Sequence, residues 1–270
     1  MTRKRVGLAL GGGGARGMAH VGVLQVLERE GFPIDCIAGT SVGSLVGAAY
    51  AAGLRGERLT TMALQMRWRD IGNLVWPRDG LVSFAKLESF LVNVMGDLTF
   101  ADLQIPYAAV AANLAAGNPV ILKTGRVAPA VRASCSVPGI VTPVDMDGLR
   151  LVDGGMANNL PISVVRDMGA DLVIAVGLAT PPGGQPRGIF NIGIATVEHL
   201  IIGAGDDPAT ADVYIPIPLW GLGSLIRLSA GEKLIALGRQ AAEQALPAIE
   251  AALGRSYPTL EQDSREDKDA

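Results

Sequence analysis

Gly39-Thr40-Ser41-Val42-Gly43 follows an apolar run, Ile34 to Ala38, and leads into a stretch of small residues, Ser44 to Ala52, that stops at Gly53. A short apolar run bounded by turn residues reads as a buried strand, and the glycine-closed stretch after it reads as a helix. The pentapeptide between them fits G-x-S-x-G, in which a serine sits on a sharp strand-to-helix turn with its hydroxyl projecting from the sheet edge. Gly39 and Gly43 belong there because a side chain would clash in so tight a bend. By itself the pattern is common. Its context gives it meaning, since the helix N-terminus aimed at Ser41 favours negative charge at that point.

The same arrangement occurs once more, upstream. Val6 to Leu10 is an apolar run ending in Gly11-Gly12-Gly13-Gly14-Ala15-Arg16-Gly17, and Met18 to Glu30 then carries Val21, Leu24 and Leu27 at helical spacing before Gly31. Downstream, Glu57 to Leu103 is helical but irregular, broken by Gly72, Pro77 and Gly80, and predicts helices plus a mobile cap. Pro106 to Asn113 and Pro119 to Leu122 predict a hairpin turning at Ala116-Gly117-Asn118, followed by a short helix over Ala128 to Ser134. Val141 to Val144 and Leu149 to Val152 predict a second hairpin around Asp147-Gly148, running into Asp153-Gly154-Gly155. Helices are expected over Pro161 to Met168 and Gly188 to Ile202, and strands over Leu172 to Val176 and Ala211 to Ile217. Ala230 to Leu253 makes a long closing helix that Pro247 should bend or split. Strands alternating with helices, several of them apolar at every residue, indicate an α/β protein with a largely parallel sheet covered on both faces. One domain over residues 5–253 is expected, with a disordered polar tail over 254–270.

Composition narrows the function. The 270 residues are 49% hydrophobic and 18% charged, with net charge −3, which suits a well-packed globular chain and leaves no basic footprint for nucleic acid. Attraction to an anionic membrane is equally weak, so any membrane contact must be largely apolar. The apolar stretch after the basic Arg3-Lys4-Arg5 is too short for a signal peptide or a membrane span, so a cytoplasmic protein is expected. Cys36 and Cys135 have no CxxC spacing and sit in apolar surroundings, which reads as buried thiols. With two histidines in the chain, a metal site is poorly supplied, and none is expected. No cofactor is implied either.

A nucleophilic serine needs donors for the oxyanion of its tetrahedral intermediate, and Gly12-Gly13-Gly14, ending a strand at the same sheet edge, can present consecutive backbone N–H groups. Arg16 in that loop would hold its shape or attract a phosphate head group; the plainer reading is a solvated charge at a helix start. Gly12-x-Gly14-x-x-Gly17 also matches a dinucleotide fingerprint, but the acid that fingerprint needs belongs at the carboxyl end of the second strand, whereas Asp35 lies at its beginning. A phosphate-binding P-loop is excluded because no Gly-Lys-Ser/Thr follows the glycines. For the base, His199 gives the chain order of a Ser-Asp-His triad, yet it sits mid-helix, where a packed or surface histidine is the ordinary reading. His20 sits in the first turns after the glycine loop and reads as support for it. Asp153 has the better position: it ends a strand, two glycines let the backbone turn closely, and a carboxylate in a dry pocket is a stronger base than in water.

Taken together, Gly12-Gly13-Gly14-Ala15-Arg16-Gly17, Gly39-Thr40-Ser41-Val42-Gly43 and Asp153-Gly154-Gly155 resemble the patatin-like phospholipase family in identity, order and separation. Ala19-His20-Val21-Gly22-Val23-Leu24, Ser136-Val137-Pro138-Gly139 and Asn158-Asn159-Leu160-Pro161 also look like its bacterial members, so the resemblance covers about residues 5–250. It implies a three-layer α/β/α fold related to cytosolic phospholipase A2, a Ser41-Asp153 dyad without a catalytic histidine, and an oxyanion hole at Gly12 to Gly14. Asn113 departs from the pattern, since similar proteins often carry Asp there; its place at a turn suggests a structural effect. The expected substrate is a lipid ester, a (lyso)phospholipid or related molecule. Trp68, Trp76, Leu81, Val82 and Phe84 of the cap, with Leu219, Trp220 and Leu222, are candidates to line an acyl-chain pocket or to touch the inner membrane face peripherally; ordinary core packing is the alternative. A non-catalytic lipid-binding protein that merely keeps the fold is the rival of a different class.

Overall fold

The computed structural model describes residues 3–179, 187–218 and 230–254. β1 (Val6–Leu10) leads through the glycine loop and a 3-10 turn (Gly14–Met18) into α1 (Ala19–Arg29), and β2 (Cys36–Thr40) turns at Ser41 into α2 (Val42–Ala51). The cap follows, built from α3 (Gly56–Gln65), α4 (Trp68–Ile71), the small hairpin of β3 (Asn73–Leu74) and β4 (Val82–Ser83), and α5 (Ala85–Met95). Next come the hairpin of β5 (Tyr107–Asn113) and β6 (Pro119–Leu122), then α6 (Val127–Ser134) and the hairpin of β7 (Val144–Met146) and β8 (Leu149–Asp153). The described chain closes with α7 (Ile162–Asp167), β9 (Leu172–Ala179), α8 (Ile189–Gly203), β10 (Val213–Pro218) and α9 (Gly231–Leu253).

The central sheet runs β10-β9-β1-β2-β5-β8-β7, with β6 also paired to β5. The strands from β10 to β5 are parallel, and the two hairpins supply the antiparallel members. Residue size sorts the two faces. On one face Leu8, Ile37, Ile174, Val176 and Tyr107 pack with α1, α2, α6 and α9 into the large core. On the other, Ala9, Cys36, Ala38, Ala108 and Ala175 meet Ile162, Val164 and Val165 of α7, and the small side chains let that short helix lie close. β10 alternates buried and exposed residues, as an edge strand with one face in water should.

Three expectations change. The second strand starts at Cys36 rather than Ile34, because Asp35 clamps the strand entry: its N–H donates to the Val6 carbonyl at 2.7 Å and its carboxylate accepts the Val6 N–H at 2.7 Å. Arg3 also bonds that carboxylate, at 2.5 and 2.6 Å, which removes Asp35 as a nucleotide ligand. Val141 lies outside the second hairpin and bridges to Val82, tying the cap to the body. Pro247 does not split α9, which runs continuously with Leu246 and Ile249 buried on either side of it. Gly254, in the left-handed conformation, closes that helix, and the expected tail beyond it lies outside the described residues.

The unequal faces yield a paired test by urea denaturation. Ile174→Ala, at a fully buried position on the thick face, should lower stability by ~2–5 kcal/mol through an unfilled cavity. Ala175→Leu, its neighbour on the thin face, should lower it by ~1–3 kcal/mol through overpacking against α7.

Candidate active site

The site forms where two strand ends meet beside β5. β2 runs parallel to β5 with Thr40 opposite Val110, while β8 runs antiparallel to it with Asp153 opposite Ala111. Ala111 also pairs with Val120 of β6, so β6 holds one edge of β5 and the ends of β2 and β8 share the other. Ser41 and Asp153 are thereby brought end to end. Ser41 Oγ donates to Asp153 Oδ2 at 2.6 Å, and Asp153 Oδ1 accepts the Gly155 N–H at 2.8 Å.

Ser41 occupies φ 54, ψ −127, a conformation that costs about 1–3 kcal/mol and must be held by its surroundings. Gly43 permits that turn to lie against β1, since a Cβ there would fall 2.2 Å from the Leu10 carbonyl oxygen. Gly39 packs on the backbone of Gly43, Gly17 against Val42, and Gly154 against the Val110 carbonyl. The Ser41 carbonyl starts α2 by accepting the N–H groups of Ser44 and Leu45 and the Ser44 hydroxyl. Two residues that sequence reasoning did not single out complete the brace. Ser134 Oγ accepts the Ser41 N–H at 2.9 Å and donates to the Val110 carbonyl at 2.6 Å, and two residues on, the Ser136 carbonyl accepts the Asp153 N–H at 2.8 Å. Asn159, quoted above only as part of a motif, locks the glycine loop: its backbone carbonyl and its Oδ1 both accept the Gly12 N–H, at 3.2 and 3.1 Å.

That lock corrects the expectation for Gly12. Its amide is turned to Asn159, whereas the Gly13 and Gly14 amides make no hydrogen bond to any described residue. Arg16 is buried, not a solvated helix-start charge; its Nε donates to the Gly13 carbonyl at 3.1 Å and it forms part of the cavity wall. His20 supports the loop from beneath, hydrogen-bonded through Nε2 to the Gly11 carbonyl at 2.8 Å. Burial pushes its pKa down to about 4, so the ring is neutral near pH 7 and Nε2 carries the proton it donates to that carbonyl. His199 is exposed, with Nδ1 bound to the Ala195 carbonyl of its own helix, while Val197 and Ile201 of that helix face the cavity. The site is therefore built without an imidazole beside Ser41. Asn113 closes its hairpin turn by accepting the Ala115 N–H on Oδ1, a structural role.

Asp153 is 1% exposed. Burial raises its pKa from the ordinary 3.8 to about 6, against the hydrogen bonds from Ser41 and Gly155, which favour the ionised form and pull it down. Above the pair opens a cavity of ≈ 470 Å³ with apolar walls. Trp68, Val82 and Phe84 line it, the Trp68 and Phe84 rings stacked at 6.2 Å. Leu81 and Trp76 do not, and Leu219, Trp220 and Leu222 lie outside the described residues. The Cys135 thiol also borders the cavity, and burial together with the nearby Asp153 carboxylate pushes its pKa well up, leaving it an unreactive thiol. Among the described residues no group of three His, Cys, Asp or Glu side chains is placed to hold a metal ion.

A family model described as patatin-like phospholipase matches residues 8–166. The chain belongs to the patatin-like phospholipase family. An uncharacterized NTE family protein of Mycobacterium tuberculosis is 40% identical over 186 residues, covering 68% of this chain and 51% of that one. A lysophospholipase of Aspergillus oryzae is 34% identical over 192 residues, covering 68% of this chain and 12% of the fungal protein. This patatin-like chain thus spans about half the length of the mycobacterial relative it matches and a small part of the fungal one. Among solved structures, VipD from Legionella pneumophila superposes with TM-score 0.56 at 14% identity, over 93% of this chain and 67% of that one. Human GIVD cytosolic phospholipase A2 does so with TM-score 0.50 at 14% identity, over 93% and 58%. Both share the fold, a mixed α/β layer structure with a mostly parallel central sheet.

The Asp153 environment can be read directly. The proton is bound more tightly in the folded than in the unfolded state. This group's contribution to stability is therefore fully present below about pH 3.8 and lost as pH rises through about 6. In carbon NMR the labelled Asp153 carboxyl should titrate near 6, and Ser41→Ala should move the midpoint upward, because a hydrogen bond to the ionised form is lost.

Proposed function

We propose that this chain hydrolyses carboxylic esters of lipids, (lyso)phospholipids or related acyl esters, with Ser41 as nucleophile and Asp153 as general base. The observation that carries the reading is the 2.6 Å hydrogen bond from Ser41 Oγ to a buried carboxylate at the floor of an apolar cavity. Family membership and the lysophospholipase name of a relative support the same chemistry.

In the proposed reaction Asp153 accepts the Ser41 proton as Oγ attacks the ester carbonyl. The carbonyl oxygen becomes an oxyanion facing the Gly13 and Gly14 amides, at the positive end of α2. Protonated Asp153 then gives its proton to the departing alkoxide, leaving an acyl-enzyme on Ser41. Water repeats the cycle: Asp153 takes its proton, the oxygen attacks the acyl carbon, and the proton returns to Ser41 as the fatty acid leaves. A base of pKa about 6 is ionised at neutral pH yet more basic than an ordinary carboxylate. Arg16, anchored on Gly13, keeps the donor loop in shape and sets a positive charge at the cavity wall, where a phosphate-bearing head group would be favoured. The apolar walls suit the acyl chain.

A fluorophosphonate probe should label the purified protein, and Ser41→Ala should abolish labelling. Asp153→Asn should cut turnover by ~10²–10⁴-fold while leaving the fold intact, and His199→Ala should change little. For the wild type, log kcat/KM should climb with pH and level off above about 6, the pKa of Asp153; a limb whose midpoint departs from the carboxyl titration of Asp153 seen by NMR would overturn the assignment. A panel of lysophospholipids, phospholipids and acylglycerols would then rank the substrates.

A further inference from the structure

We propose that the rim of the cavity docks onto the surface of a lipid bilayer, with Leu74 and Trp76 of the cap hairpin and Leu200 of α8 entering the interface. The proposal rests on the ester-hydrolase reading above and adds where the substrate comes from. Ten large apolar side chains are exposed among the described residues, and four of them, Trp68, Leu74, Trp76 and Leu200, lie on two short stretches that also build the cavity wall. Leu74 and Trp76 are 85% and 81% exposed, more than any of the others. Apolar side chains scattered singly on a surface need no explanation, but here Trp68 and Leu74 line the apolar cavity, and Trp76 and Leu200 stand within two residues of lining residues.

The hairpin is held so that its tip stays out. Its base is bound to the body, with the Leu81 and Val82 N–H groups donating to the Ile140 carbonyl at 2.8 and 2.9 Å and the Thr142 N–H donating to Val82 at 2.9 Å. Leu74 pairs with Val82 across it, so one wall of the cavity continues outward into the exposed tip. Leu200 is exposed on α8 next to Ile201, which with Val197 lines the cavity. Exposed charges beside the tip are of both signs: Arg67, Arg69 and Arg78 against Asp70 and Asp79, the last paired to Arg150 at 2.9 Å. Such a rim matches a zwitterionic head-group layer, and Trp, with an apolar body and a polar N–H, favours that depth. An acyl chain passing from bilayer to cavity across this rim never meets water, which the hydrophobic effect strongly favours.

Flotation of the full chain with phosphatidylcholine vesicles tests this, alongside hydrolysis of p-nitrophenyl butyrate, a soluble short ester. The comparison is a Trp76→Ser, Leu200→Ser double variant; neither side chain belongs to the cavity wall. The wild type should float, the double variant should bind vesicles at least about tenfold more weakly, and both should cleave the soluble ester at rates within about twofold. Raising NaCl to ~0.5 M should leave wild-type binding largely unchanged, since the contact is apolar. The proposal is overturned if the wild type cleaves the soluble ester but does not float, if the double variant floats equally well, or if salt strips the wild type from the vesicles. It is overturned too if the wild type proves a dimer that the double variant breaks, which would make a second copy the occupant of the rim. Loss of soluble-ester hydrolysis with vesicle binding intact would instead sink the hydrolase reading and leave the docking surface standing.

Discussion

One edge of β5 receives two strand ends, and the site depends on that sharing. Val110 pairs with Thr40 and Ala111 with Asp153, so consecutive residues of one strand fix the positions of Ser41 and the Asp153 carboxylate. Ladder pairing sets position along a strand to within a residue, because a one-residue slip would turn every side chain to the opposite face. A slip of β8 by one residue would thus carry the carboxylate away from Ser41 altogether. The backbone of Val110 also carries the brace: its carbonyl takes the Ser134 hydroxyl, which in turn takes the Ser41 N–H, and Gly154 passes so near that a Cβ would fall 2.1 Å from the same oxygen. Few degrees of freedom remain between Ser41 and Asp153 once β5 is in place.

What the sequence disclosed follows the range of each interaction. Gly39 to Gly43 and Asp153 to Gly155 announce themselves because turn chemistry is local: a tight bend needs glycine whatever packs around it. The buried strands are visible as unbroken apolar runs, though their ends are displaced where a side chain such as Asp35 takes over a backbone bond. Ser134 and Asn159 were opaque for the opposite reason. A serine at the end of a helix and an asparagine in a turn have ordinary local uses, and nothing in the neighbouring residues says that their partners lie 93 and 147 positions away. The direction of β8 was equally hidden, since Asp153 at a strand end is compatible with parallel or antiparallel approach. Gly12 shows the limit from another side: three successive glycines look equivalent as donors, and only the fold reveals that one of them is already engaged.

The electrostatics of the pair come from opposing effects of burial and hydrogen bonding. Burial alone would drive the Asp153 carboxyl strongly toward the neutral form. Two hydrogen bonds, one from the Ser41 hydroxyl and one from the Gly155 amide, return part of the charge-stabilising environment that water supplied. The compromise near 6 leaves the group ionised at neutral pH and still avid for a proton, which is what imidazole provides in a conventional triad. His20 is held neutral under the glycine loop and His199 is turned to solvent, so neither imidazole stands beside Ser41.

The Ser41-Asp153 pair and the cavity walls are built by different parts of the chain. Ser41, Asp153 and the glycine loop belong to the sheet, whose ladders and thick core can hold a strained serine and a desolvated carboxylate, each an expense of order 1–3 kcal/mol. Among the cavity walls Trp68, Leu74, Val82 and Phe84 come from the cap, which joins the body through a bridge at Val141 and the packing of α5 on α6. Substitutions in the cap can therefore reshape the cavity without disturbing the register of β2 and β8 on β5, whereas substitutions in the sheet reach Ser41 and Asp153 themselves. The Ser41-Asp153 geometry is thus fixed by the sheet, while the shape of the cavity is set by the segment between α2 and β5 together with Val197 and Ile201 of α8.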